Sequence, residues 1–189
     1  MMSSSLPAWP STPPSADSVH LRGVTEGDTE LARELSADPY VPHIGSLPAH
    51  ASEDELLEWA HRQQRRHAEG AGCSFTIVET KTEQAVGHCG LWLQELSQGR
   101  ATAGYSIIGS ARGRGLAAQA LRALTTFGWR VPHLFRISLY TEPWNLASVR
   151  TAERAGFGRE GLLRSHQAIA GRRRDMLLYA AMREDFVPR

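Results

Sequence analysis

The chain has only two cysteines, Cys73 and Cys89, with no ligand-like spacing around them. Two thiols cannot build a disulfide framework or a self-sufficient zinc site, even with His88 beside Cys89, so no metal is expected. So few cysteines also fit a reducing, cytoplasmic setting. No apolar run approaches the ~20 residues that a membrane span needs. The first residues lack the basic and apolar regions of a secretory leader. Charge of one sign is not in excess either: 21 Lys and Arg stand against 20 Asp and Glu, a net +1. That balance argues against partners held by bulk charge, whether nucleic acid, a membrane surface or an acidic macromolecule. Also missing are the Gly-x-x-x-x-Gly-Lys-Ser/Thr loop and a Gly-x-Gly-x-x-Gly after a strand, which sets aside P-loop and Rossmann chemistry.

What is present fits one domain with a sizeable core. The chain has 189 residues, 41% hydrophobic and 22% charged, ordinary values for a globular protein. Residues 1–17 are rich in Ser and Pro and read as a disordered tail in which Trp9 is free to dock. The domain is expected over residues 18–189. Val19–Arg22 reads as a strand. Thr25 with Asp28, and Ser52 with Glu55, are capping boxes that open two helices. The first ends at Asp38-Pro39. Residues 38–51 read as a loop, and the second helix runs to about Ala68 with Leu56, Leu57, Ala60 and Gln64 on one face. Its Arg62, Arg65 and Arg66 read as a solvated basic face. Period-two alternation predicts strands at Cys73–Val78, Val86–Leu93 and Ala101–Ile108. Helical spacing returns at residues 113–130. A strand at Leu134–Tyr140, a helix at Asn145–Ala155 closed by Gly156, and two terminal strands complete the order β-α-α-β-β-β-α-β-α-β-β. A single α/β domain with a mixed sheet follows.

The informative turn is Arg112-Gly113-Arg114-Gly115-Leu116-Ala117, between a strand and an amphipathic helix. Its glycines permit positive φ and close approach of a ligand. The helix start behind them offers unpaired N–H groups and a positive dipole end, and Arg112 and Arg114 add charge, so a phosphate-bearing ligand fits. Such a turn is also found as a plain connector, so the residues that follow decide.

Arg112-Gly-Arg-Gly-Leu-Ala117 resembles the pyrophosphate-binding signature of the GNAT acetyltransferases. Gly104-Tyr105 before it and Ala120-Leu121 after it look like the RimJ/RimL branch. Glu142-Pro-Trp-Asn-Leu-Ala-Ser148, running on to Gly156-Phe157 and Glu160-Gly161, is similar to that branch's Asn-x-x-Ser helix and Gly-Phe strand. Gly171-Arg-Arg-Arg-Asp175 with Met176–Tyr179 is similar to its final hairpin. The resemblance implies the GNAT fold: a central mixed, mostly antiparallel, twisted sheet flanked by helices. It implies an acyl-CoA co-substrate, acetyl-CoA or another short acyl-CoA, and transfer to a primary amine by direct attack. Pantetheine would pair with a strand edge near Tyr105, Ile107 and Ile108. Pyrophosphate would rest on the N–H groups of Arg112, Gly113, Arg114, Gly115, Leu116 and Ala117. Asn145 is both a good N-cap and, by resemblance, a pantetheine contact. Ser148 would face the sulfur, although a helix-surface serine is its plain reading.

The attacking amine must lose its proton, since a free α-amino group has a pKa near ~8 and lysine near ~10. The branch often carries a glutamate after its Gly-Phe strand, and many relatives carry one before Gly-Tyr. Here those stretches are Arg164–Ile169 and Arg100–Ala103, without a carboxylate. His166 is the local substitute, because imidazole titrates near neutrality; a structural histidine is its plain reading, and a water chain or an amine that arrives neutral would also serve. Glu142 reads as surface, and the Arg172–Arg174 run as a solvated hairpin turn. The acceptor is expected to be a protein or peptide N-terminus or a small-molecule amine. The donor is acetyl-CoA, or succinyl-CoA if an arginine meets a carboxylate at the acyl end. The chain is expected to be monomeric or dimeric. A non-catalytic acyl-CoA sensor is the alternative that the missing carboxylates favour, and a nucleic-acid module resting on the two arginine clusters is the weaker one.

Overall fold

The computed structural model describes residues 6 and 8–185, and of the expected tail residues 1–5 and 7 lie outside it. Among the described residues the chain runs β1 (Ser15–Ala16), β2 (Val19–Gly23), α1 (Thr29–Ser36), α2 (Val41–Ile44), α3 (Glu53–Ala68), β3 (Gly72–Glu79), β4 (Gln84–Trp92), β5 (Arg100–Ile107), α4 (Leu116–Gly128), β6 (Arg136–Thr141), α5 (Leu146–Arg154), β7 (Gly158–Ile169) and β8 (Arg172–Met182). The strands form one sheet in the order β1-β2-β3-β4-β5-β6-β8-β7. Every neighbouring pair is antiparallel except β5 and β6, so the sheet is mixed and mostly antiparallel, as expected.

Every residue of β3 is buried, because helices cover both faces of the sheet. Phe75 points to α4, where it meets Phe127 edge-on at 5.2 Å between centroids. Ser74 and Thr76 point the other way, to Gln63 of α3 and to Asp28 ahead of α1. His88 of β4 shares that second face, with its ring 5.1 Å from Trp59 of α3. Both capping boxes form: Thr25 with Asp28 on a short 3-10 turn leading into α1, and Ser52 with Glu55 on α3.

Several expectations need correction. The expected tail joins the domain before Val19: Ser15 and Ala16 pair with His20 and Val19, and Trp9 stacks on Phe75 at 4.9 Å. The loop at 38–51 contains the one-turn helix α2. The buried face of α3 is Leu56, Trp59, Ala60 and Gln63, while Gln64 is exposed. Choosing Gln64 over Gln63 shifted the stripe by one residue, and the large apolar Trp59 went unused. The arginines of α3 are not simply solvated. Arg62 donates to the Ser46 carbonyl, Arg65 pairs with Glu58, and Arg66 lies over the Trp92 ring at 5.5 Å. In the final hairpin, Asp175 accepts from the Ser165 N–H, and Arg173 donates to the carbonyls of Ser165 and His166. Both cysteines are buried free thiols, and burial pushes Cys73 up to about 12.

The feature that positions the site is a split in the sheet. β5 and β6 pair over only three residues, Arg100–Thr102 against Arg136–Ser138. β5 continues along β4 to Ile107, and β6 continues along β8 to Thr141. Past Thr102 the two central strands separate, and a cleft opens between them.

Candidate active site

The cleft has a volume of about 930 Å³. On the α4 side it is walled by the Gly-rich turn and the first turn of α5; on the other side, by the α1–α2 segment and the inner surface of α3. One opening thus runs through the sheet from one helical layer to the other.

The Gly-rich turn is open at its backbone, and its arginine side chains are turned to acids. Gly113 and Gly115 take φ of +76° and +79°, and a Cβ built on either meets no atom within 4 Å. The turn is therefore open space lined by backbone. Gly115 is the N-cap of α4, which leaves the first-turn N–H groups, Leu116 and Ala117 among them, directed out of the helix. The two arginines are engaged with acids. Arg112 donates to Asp38 at 2.5 Å and, through Nε, to the Ile107 carbonyl at 3.0 Å. Arg114 pairs with Glu79. Arg150 and Arg154, one helical turn apart on α5, also line the cleft and have no ion-pair partner among the described residues. Sequence reading gave them no role, although their i, i+4 spacing puts them on one helix face.

The expected strand edge is present and lies slightly upstream. Residues 103–107 of β5 have no β6 partner. The N–H of Ile108 is taken by the Val86 carbonyl, and the carbonyl of Ile107 by Arg112. The free edge therefore centres on Ala103–Ser106, and Ile108 drops out as a contact made through its N–H.

Asn145 caps α5 by accepting from the Ser148 N–H at 3.1 Å. Ser148 is half-buried and lines the cleft. The Tyr105 hydroxyl donates to Ser148 Oγ at 3.0 Å, which leaves the Ser148 proton free to point elsewhere. Burial raises the Tyr105 phenol above its ordinary pKa, while hydrogen bonds to Ser148 and Thr151 pull it back. Tyr105 therefore keeps its proton at neutral pH and remains a donor.

In the loop that leads into α5, Glu142 is 2% exposed, not the surface residue expected. Its Oε2 accepts from the Tyr40 hydroxyl at 2.9 Å, and its Oε1 lies 3.5 Å from Arg174 Nε. A buried carboxylate persists only with such partners, and these lie 102 and 32 residues away in sequence. Burial, then the hydrogen bond to Glu142 and its charge, push the Tyr40 phenol up. Tyr40 lines the cleft and meets the exposed Trp144 edge-on at 5.2 Å. His166 is exposed on β7, outside the cleft wall, with its ring stacked on Tyr140 at 5.0 Å. The structure thus brings Asn145, Ser148, Tyr105 and the Gly-rich turn to one cleft. It holds His166 one ring away and supplies a carboxylate that sequence reading discarded.

The GNAT acetyltransferase domain family matches residues 18–158. The chain is 25% identical over 166 residues to an uncharacterised N-acetyltransferase, p20, of Bacillus licheniformis, covering 88% of this chain and 93% of that protein. It is 35% identical over 85 residues to the ribosomal protein uS5-alanine N-acetyltransferase of Escherichia coli, 45% of this chain and 44% of that one. Among solved structures it is similar to Mycobacterium smegmatis RimJ in complex with a CoA disulfide, with a TM-score of 0.80 at 24% identity over 94% of this chain and 88% of that one.

Proposed function

Since the chain belongs to the GNAT acetyltransferase family, an N-acetyltransferase family dependent on acyl-CoA, we propose that it transfers an acetyl group from acetyl-CoA to a primary amine by direct attack in the cleft between β5 and β6. Acetyl-CoA supplies an activated thioester carbonyl. The residues at hand suit it: an open β5 edge for the pantetheine amides, a glycine cradle free of side chains for the pyrophosphate, and Arg150 and Arg154 as unpaired positive charge.

The observation that carries this reading is the Tyr105–Ser148 hydrogen bond. With Tyr105 donating to its oxygen, Ser148 directs its own proton outward, toward the sulfur that leaves as CoA. A thiolate with a pKa near ~8.5 needs little help to leave, and one positioned hydroxyl supplies it. On the amine side, Tyr40 accepts a proton through its oxygen while passing its own to Glu142. Its high pKa forbids simple ionisation and favours this paired transfer. Tyr40 and Glu142 thus take the role first assigned to His166.

The test is thiol release from acetyl-CoA, with succinyl-CoA in parallel, against a panel of peptide N-termini and small amines with a no-acceptor control. Acceptor-dependent release supports the reading. CoA binding by calorimetry with no release for any amine would leave a binder rather than a catalyst.

Two expected results accompany it. Gly115→Val places a β-branched side chain at φ +79° in the cradle. It is expected to weaken CoA binding at least 100-fold by calorimetry, with a folding loss of only about 1–3 kcal/mol from the strained backbone. Unchanged affinity would put the pyrophosphate elsewhere. Tyr40→Phe and Glu142→Gln are each expected to lower kcat at neutral pH by about 100-fold. Activity should recover as pH rises toward the pKa of the amine, which then arrives neutral. A pH profile parallel to that of the parent would remove the pair from the mechanism, and an altered profile in His166→Ala alone would return the role to His166.

A further inference from the structure

The two carboxylate oxygens of Asp38 serve different parts of the chain. Oδ1 accepts from the N–H groups of Tyr40 and Val41, at 2.8 and 2.9 Å, and so caps the one-turn helix α2. An asparagine would do this as well. Oδ2 accepts from Arg112, 74 residues further on, at 2.5 Å. Arg112 is the first residue of the Gly-rich turn, and its Nε donates to the Ile107 carbonyl at the end of β5. The Asp38 side chain is only 10% exposed. Burial favours protonation of this carboxyl, but the N–H groups of Val41 and Tyr40, and then the Arg112 guanidinium, outweigh it and hold the pKa below the ordinary value. Asp38 is thus ionised at neutral pH, and its bond to Arg112 is of the stronger, charge-assisted kind.

The residues joined in this way stand on the two sides of the transfer. Arg112 opens the turn assigned to the pyrophosphate. Tyr40 is the group assigned to the amine, with its hydroxyl on Glu142 at 2.9 Å and its ring against Trp144. Glu142, with Arg174 behind it, and Tyr105 are the titratable groups around that phenol. Those contacts set the ring end of Tyr40. Asp38 sets its backbone, and sets it relative to the cofactor turn. A proton acceptor has to come within hydrogen-bond reach of the amine, and a misplacement of about 1 Å costs up to about 100-fold in rate.

We propose that Asp38 is a positioning residue of the transfer: through Arg112 it fixes Tyr40 and α2 against the end of β5 and the Gly-rich turn, and so sets the proton acceptor at a fixed place relative to the bound acyl-CoA. The assignment rests on the acetyltransferase reading, and Asp38 acts in it only through Tyr40.

Two variants cut the link from its two ends. Asp38→Asn keeps the Oδ1 cap and turns an amide toward Arg112. Arg112→Gln leaves Asp38 intact and removes the guanidinium, so the test stands even if the first variant folds poorly. Hydrogen exchange is followed by mass spectrometry on the peptide spanning residues 40–46, in the protein without ligand. Both variants are expected to speed exchange there about tenfold, although Arg112 lies on a different element. Exchange in this peptide unchanged by Arg112→Gln would overturn the proposal and leave Asp38 as a cap of α2. The second arm measures acetyl transfer from acetyl-CoA to Ala-Ala-Ala and to ethylamine across pH. Asp38→Asn is expected to lower kcat at neutral pH about tenfold, with KM for acetyl-CoA changed less than about threefold. The loss is expected to close as pH rises toward the pKa of the amine, the signature expected of Tyr40→Phe. Asp38→Asn combined with Tyr40→Phe should be no slower than Tyr40→Phe alone. A loss of equal size at every pH, or one that adds to that of Tyr40→Phe, would overturn the proposal and leave the acetyltransferase standing. Faster exchange in both variants of a parent that acetylates no amine of the panel would uphold the link and overturn the catalytic reading instead.

Discussion

Replacing Ser148 by alanine is expected to lower kcat for acetyl transfer by about 100-fold, while the affinity for acetyl-CoA changes less than threefold. The asymmetry follows from the role proposed for the hydroxyl. The Ser148 N–H caps onto Asn145 and survives the substitution, so the first turn of α5 stays in place. What is lost is a proton donor that matters only as the sulfur acquires charge, an interaction of the transition state rather than of binding. Tyr105→Phe leaves the serine in place but removes the donor that orients it, and a smaller fall of about tenfold is expected. The double variant should then be no slower than Ser148→Ala alone, because both act through one proton. Steady-state kinetics on the four proteins decides this. Additive losses would mean that Tyr105 acts on its own, and an unchanged kcat in Ser148→Ala would return the serine to a capping turn.

The second large effect concerns stability. Asp28 is 2% exposed and takes a bidentate pair from Arg22 at 2.8 and 2.6 Å, the Thr25 N–H at 2.8 Å and the Thr76 hydroxyl at 2.9 Å. These contacts tie β2, the start of α1 and β3 into one corner. Asp28→Ala is expected to cost about 3 kcal/mol in urea unfolding, the low end for a broken buried pair because Arg22 retains access to water. Asp28→Asn is expected to recover only part of it, since its amide would face the Arg22 donor now met by Oδ1. Burial favours protonation of this carboxyl, but Arg22, Thr25 and Thr76 outweigh it and hold the pKa below the ordinary value. A depressed folded pKa means that the stabilisation is complete above the unfolded value near ~3.9 and is lost as pH falls through the folded one. The parent should therefore lose stability below about pH 4, and Asp28→Asn should show a shallower acid limb. Equal slopes for the two would place the acid sensitivity in other carboxylates.

The same corner shows what a sequence can and cannot disclose. Thr25-x-x-Asp28 and Ser52-x-x-Glu55 are local devices whose partners lie within one turn, and both helix starts were legible from them. The alternation of β3 and the helical spacing of α4 were legible for the same reason. Glu142 was misread because what permits its burial is remote: a phenol from the α1–α2 segment and a guanidinium from the last strand. Arg112 and Arg114 were read as ligands for phosphate because a basic Gly-rich turn suggests it, yet Asp38 and Glu79 reach them only through the fold. Trp9 sat in a stretch whose composition predicts no structure, yet its ring stacks on Phe75 while Ser15 and Ala16 pair with His20 and Val19. Local rules located the elements and the cradle. Identifying the buried carboxylate of Glu142 required the assembled sheet.

The open edge of β5 has a consequence for solubility. A strand with unsatisfied backbone groups is ordinarily a template on which a second chain can add, and edges at the rim of a sheet are kept short or charged to prevent it. Here the bare edge lies in the middle of the sheet, with β4 on one flank and the diverging β6 on the other. A polypeptide strand needs about 5 Å of lateral room and clearance for side chains on both faces. A cleft closed on two sides by α5 and the α1–α2 segment admits a thin unbranched chain of amides far more readily. The geometry that leaves the edge available to a slender cofactor thus also withholds it from other proteins, so adhesiveness and ligand recognition are separated by width alone.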